Sequence, residues 1–139
     1  MFIEKADLPT VIYGYQLDEI TEGDNLIIVA NCAAAIEEVK SYLAKYDTAT
    51  IFAATGAARN PLILEITKSV ALWYIIRLSN VDMIYDQARD RYDRAITWLK
   101  SVKEGDLAPN LPHATAPDGG AVATFSIKSN RKFNHGNEY

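Results

Sequence analysis

The chain has 139 residues, 49% of them hydrophobic and 23% charged, with a formal net charge of −4. That suits a single soluble domain with length enough for a real core, and the acidic balance argues against non-specific nucleic-acid binding, which needs a basic face. Cys32 is the only cysteine, which rules out a disulfide scaffold and a cysteine-based zinc site.

The opening MFIEKADLP mixes acid and base with no apolar stretch, so no signal peptide is expected. Residues Ile3 to Ile20 carry apolar clusters around Leu8, Val11, Ile12, Tyr13 and Leu17. They predict one or two short helices broken near Pro9 and Gly14. A long helix follows from about Asp24, a suitable N-cap, to Tyr46. Val29, Cys32, Ile36, Val39 and Leu43 recur at spacings of three and four and form its inner stripe, leaving Glu37, Glu38 and Ser41 to water.

The stretch DTATIFAATGAARN reads as a loop, and Asn60-Pro61 as a helix start, because Asn caps and Pro tolerates the first helical position. From Pro61 to about Ser79 the chain is apolar nearly all round, with Leu62, Ile66, Val70, Trp73 and Arg77 on one stripe. Such a helix belongs at the centre of a bundle. Its apolar run VALWYIIRL is far short of the roughly 20 residues that span a bilayer, so no membrane is expected, and the protein is read as soluble and made in a cytoplasm. A third long helix begins at Asn80 or Asp82 and ends near Glu104, with Gly105 at C′. Its buried stripe is Tyr85, Ala88, Tyr92, Ile96, Leu99 and Val102. Arg89 with Asp93, and Asp90 with Arg94, lace its wet side with pairs worth only about 0.2–0.5 kcal/mol each.

Beyond Leu107 the composition shifts to Pro, Ala and Gly, so residues 1–106 read as a helical bundle domain and 107–139 as an extended arm and tail. The arm holds one alternating segment, Val122 to Ile127. A lone strand leaves backbone donors and acceptors unpaired on both edges, so its partner is expected in another chain. The fold class is therefore mainly α: three long helices, short N-terminal helices, and an arm with one short strand.

No constellation for chemistry emerges. His113 and His135 lie in arm and tail without ligands at metal spacing, and Cys32 falls on an apolar stripe. TGAARNP lacks the Gly-Lys-Ser/Thr ending of a phosphate loop. Asp82, Asp86 and Asp90 share a helix face but interleave with Arg89, Arg91 and Arg94, the pattern of a solvated face or an inter-subunit ion network. Arg77, on an apolar stripe, must pair with an acid such as Asp82 or Asp86 or reach water at the helix end. Neither an enzyme nor a cofactor or metal is expected. In the tail, Lys128, Arg131 and Lys132 cluster with Phe133 and Tyr139, which suits either a free terminus or a peptide that docks on a partner.

The segments YQLDEITEGD, AIEEVKSYLAKYD, RNPLILEITKSVALWYIIRLS and RYDRAITWLKSVKEGDLAPNLP, with the ending SNRKFNHGNEY, resemble the Mu-type tailed-phage proteins of the head–tail connector (adaptor, or head-completion) group. The similarity runs from about Leu8 to Tyr139. Relatives commonly carry an extra basic residue where this chain has Leu43-Ala44-Lys45-Tyr46-Asp47. The resemblance implies a helical subunit of a ring, usually a dodecamer, in the virion neck. There it sits between the portal protein and the tail or tail-terminator proteins, with passive contact to DNA in the channel, after assembly in the host cytoplasm. Phe125, Ile127, Lys128, Arg131, Lys132, Phe133 and Tyr139 are then the expected inter-subunit or portal contacts. The alternative from another class is a small helical DNA-binding regulator, against which stand the acidic balance and the lack of a basic recognition helix.

Overall fold

The structure is a computed structural model that describes residues 1–78 and 82–115. The strand-like segment Val122 to Ile127, the tail residues singled out above and His135 lie outside the described residues. Within them the chain is mainly helical. A 3-10 turn, Lys5–Thr10, precedes α1 (Gly14–Ile20), α2 (Asn25–Tyr42), α3 (Thr48–Ala53), α4 (Pro61–Ile76) and α5 (Asp82–Glu104).

The predicted boundaries follow from cap chemistry. The Asp24 side chain accepts from the Leu26 amide, and Asn60 Oδ1 accepts from Leu62 and Ile63, satisfying donors that the first turn leaves orphaned. Gly105, at φ 93°, ends α5 by donating back to Ser101 and Val102, a left-handed conformation that glycine adopts without a Cβ clash. Two boundaries differ from expectation. Helix α2 stops at Tyr42, and DTATIFAATGAARN contains α3, started by Asp47, which accepts from both the amide and the hydroxyl of Thr50. Helix α3 buries Ile51 and Phe52, and the Phe52 ring meets Phe2 edge-on at 4.8 Å.

Helix α4 is the centre of the bundle, packed against α2 on one side and α5 on the other, with the N-terminal turn over a third. Ile63, Val70, Ala71, Ile75 and Ile76 have no accessible surface. Burying each of these isoleucine and valine side chains contributes about 1.5–3 kcal/mol. The inner stripes differ in part from those read off the sequence. In α2 and at its C-cap, Cys32, Ile36, Val39 and Leu43 are buried as expected and Ile28 and Ala35 join them, while Val29, about 100° round from Ile28, is 51% exposed. In α4 Leu62 faces outward at 48%, and Arg77 lies just past the helix end, exposed, with its guanidinium 4.4 Å from the Tyr74 ring centre. Helix α5 adds Ala95 to the predicted stripe, with Tyr85, Tyr92 and Ile96 only partly covered.

Polar bonds fix the N-terminal segment. Arg59 grips Asp7 with two parallel bonds of 2.7 and 2.9 Å and also donates to the Phe2 carbonyl. The Arg59 guanidinium holds the Asp7 carboxyl below the usual carboxylate range. Lys68, buried on α4, donates to Thr10 Oγ1 at 2.8 Å and to Glu65. Between α1 and α2 the chain turns through a Schellman-type cap, in which Gly23 donates to the Asp18 carbonyl and Glu22 to that of Glu19. Glu22 occupies the left-handed position at φ 53°, where glycine is the usual resident.

Asp7→Ala is expected to cost about 2–3 kcal/mol, since it strands a half-buried guanidinium, and chemical denaturation will read this directly. Because the folded carboxyl is depressed, its contribution is full above about pH 4 and is lost as pH falls through the lower folded value, a slope that Asp7→Ala removes. Glu22→Gly, by contrast, relieves a left-handed side chain and is expected to stabilise the chain by up to about 1 kcal/mol in the same assay.

Candidate functional site

Three features of the described surface have the composition of working sites, and each is built by helix packing. The first is a carboxylate held among aromatics. Glu38 of α2 accepts the Tyr74 hydroxyl at 2.6 Å and the Tyr92 hydroxyl at 2.8 Å, so a single carboxylate ties α2 to both α4 and α5. Trp73 lies against Tyr85 edge-on at 5.0 Å and stacks on Tyr92 at 5.7 Å. Burial, helped by the Glu38 charge, pushes the Tyr74 phenol up to about 12 and raises that of Tyr92 as well. A negative carboxylate that accepts from two phenols holds them protonated. The arrangement joins helices and offers no proton to a substrate at neutral pH.

The second feature is the base of the arm. After Gly105 the chain folds back on the body: the Asp47 amide donates to the Pro112 carbonyl at 2.8 Å, and the Ala114 amide to the Lys45 carbonyl at 3.2 Å. Tyr46 and His113 form one antiparallel bridge and stack their rings at 5.0 Å, while Leu111 is buried. The Leu43–Asp47 segment, where relatives are expected to carry an extra basic residue, is thus the seat of the arm. Beside it lies a hollow of about 570 Å³ between α3 and residues Asn110 to Pro112, lined mostly by apolar atoms.

The third is a groove along α5. One hollow of about 440 Å³ lies between the N-terminal turn and Ile84, Gln87 and Arg91. A second, of about 280 Å³, is lined by Leu62 and Ile66 of α4 and by Arg91, Arg94 and Trp98. Arg91 lines both. Its guanidinium meets the Val11 carbonyl at 3.4 Å, and no carboxylate among the described residues pairs with it. Arg94 pairs with Asp90 at 2.9 Å, and Arg89 approaches Asp93 only to 3.9 Å, both in water as the sequence suggested.

Other expectations resolve plainly. Cys32 has no accessible surface, and burial raises its thiol to about 11, so it is inert packing. His113 is an exposed ring stacked on Tyr46. Among the described residues no three His, Cys, Asp or Glu side chains gather as a metal site, and no helix is long and apolar enough to cross a membrane. Glu38 is the residue that the sequence pattern misplaced. The periodicity of its own helix places it in solvent, and the approach of α4 and α5 makes it a hub.

Glu38→Ala is expected to cost about 2 kcal/mol by leaving two half-buried phenols without their charged acceptor, and Glu38→Gln less. In an alkaline titration Tyr74 ionises near 12 and Tyr92 also late. Since those folded values lie above the ordinary phenol value near 10, their contribution to stability is complete below about pH 10 and falls as pH rises through the folded values. Phenolate absorbance in the wild type and in Tyr74→Phe checks both the late step and its owner.

A protein-family model described as Bacteriophage Mu, Gp36 matches residues 2–126. Neither a curated protein nor a solved structure gives a match. The family match spans the whole bundle and continues past the base of the arm, so this chain belongs to the Bacteriophage Mu Gp36 family of phage proteins.

Proposed function

We propose that the chain is a structural virion protein, a head–tail connector (adaptor) that forms a ring between the portal and the tail or tail-terminator proteins. Membership of a phage protein family over residues 2–126 carries this reading. Support comes from the build of the described surface. The buried and half-buried titratable groups serve the fold, with Asp7 on Arg59, Lys68 on Thr10 and Glu65, and Glu38 on two phenols. That division of labour suits a non-enzymatic part. The arm leaves from a seat fixed by main-chain bonds, which suits a segment that must reach a neighbour from a defined point.

In this reading the bundle is the ring body, probing the channel DNA only passively, and the complete ring is a dodecamer in the virion neck. Phe125, Ile127, Lys128, Arg131, Lys132, Phe133 and Tyr139 make the inter-subunit or portal contacts. The basic residues seek acidic partners, and the aromatics act as anchors.

The solution mass of the chain, beside a version ending at Pro117, with and without portal protein, tests this. The full chain is expected to join portal assemblies, while the shortened chain keeps its helical signature and does not. A full chain that ignores portal and instead retards DNA in a salt-dependent way overturns the connector reading in favour of a DNA-binding regulator.

A further inference from the structure

Two surfaces that the fold leaves open complement one another. The outward side of α2 presents Leu26, 77% exposed, and Val29, 51% exposed, followed by exposed Ala30 and Ala33. These recur at spacings of three and four, on the side of the helix opposite Cys32, Ala35 and Val39. Single exposed apolar residues are ordinary, but a helix row of them over about 10 Å is an unpartnered packing face. Four residues before Leu26, in the turn that precedes α2, stands Glu22, exposed, without an ion-pair partner among the described residues. The left-handed backbone at that position would suit glycine better, so a carboxylate is held there against local conformational preference.

The second surface is the α5 groove. From Ile84 to Trp98 it runs about 21 Å, long enough to take the α2 row. Its floor is apolar at Leu62, Ile66 and Trp98, and its middle carries Arg91, a cation with no acid partner among the described residues. Arginine and tryptophan are the side chains that most often anchor interfaces. The groove is longer than the α2 row, and the two surfaces match in apolar character and in their unpaired charges, Glu22 against Arg91.

We propose that they are the two halves of one head-to-tail contact between copies of this chain, the outward side of α2 on one copy seated in the α5 groove of the next. Ala30 and Ala33 let the helices approach closely. Leu26 and Val29 enter the hollow beside Trp98, and Glu22 reaches Arg91. Because the halves differ, the contact is heterologous and propagates from copy to copy. It rests on the connector reading only in taking that propagation to close into a ring.

Ala33→Arg blocks the α2 side by bulk and charge, and Arg91→Glu reverses the groove. Both positions are exposed, so far-UV circular dichroism is expected to stay unchanged. By sedimentation the full-length wild type is expected to self-associate on concentration to about 1 mM, and each variant to do so at least ~10-fold more weakly. Mixed, the two variants are expected to form a dimer and stop, since each keeps the half that the other lacks. A wild type that stays monomeric, or variants that associate as it does, overturns the contact. So does association that disappears only when the chain is ended at Pro117, which would make the arm the occupant. A wild type that associates through these surfaces yet ignores portal leaves this contact standing and removes the connector reading.

Discussion

Helix α4 has nowhere to put a wet side: Ile63, Ile66, Val70, Ala71, Leu72, Ile75 and Ile76 are buried around almost its whole circumference, so other elements must enclose it. Helices α2 and α5 supply two walls, and the turn at Lys5–Thr10 supplies a third. The enclosing elements are amphipathic because each has one side on α4 and one in water. The covering is incomplete at the first turn of α4, where Leu62 stays half in water, and the hollow beside Trp98 is the result.

Apolar cover alone would permit several arrangements of the walls, and the polar bonds select one. The Asp7–Arg59 fork and the Lys68–Thr10 bond join the N-terminal turn to the start and middle of α4 across more than fifty residues of sequence. At the other end Glu38 draws Tyr74 and Tyr92 to one point, which fixes the rotation of α2 relative to its neighbours. Each of these groups is satisfied, and the described buried side-chain polar atoms all have partners. A fully paired polar network of this kind favours one packing over near-equivalents that would leave a member unpaired.

Much of this architecture is legible in the sequence because it depends on local chemistry. Asp24, Asn60-Pro61 and Gly105 announce helix ends by what their own atoms can accept or how their backbone can turn. The all-round apolar character of α4 announces its central place. Other features depend on neighbours. Helix α3 is too short for its periodicity to be seen, although Asp47 and Thr50 stand at capping distance. Helical spacing also leaves a stripe's edges open, so that Val29 and Leu62, in register with buried neighbours, face outward in the fold. Arg77 escapes burial because α4 ends one residue earlier than a continuous stripe implies. The tail residues expected to carry contacts lie outside the described residues. The groove on α5 is legible only once α4 and α5 are laid side by side.

The seat of the arm also settles where force would travel. The chain past Leu107 is fastened by main-chain bonds to Lys45 and Asp47, so tension applied beyond Thr115 meets the junction of α2 and α3 before it meets the C-terminal turn of α5. Those bonds flank the stacked Tyr46 and His113 rings and the buried Leu111, and all must yield for the arm to peel away. A pull on the arm is therefore delivered into the interior of the bundle and shared between two helices, and α5 is spared from unwinding at its end.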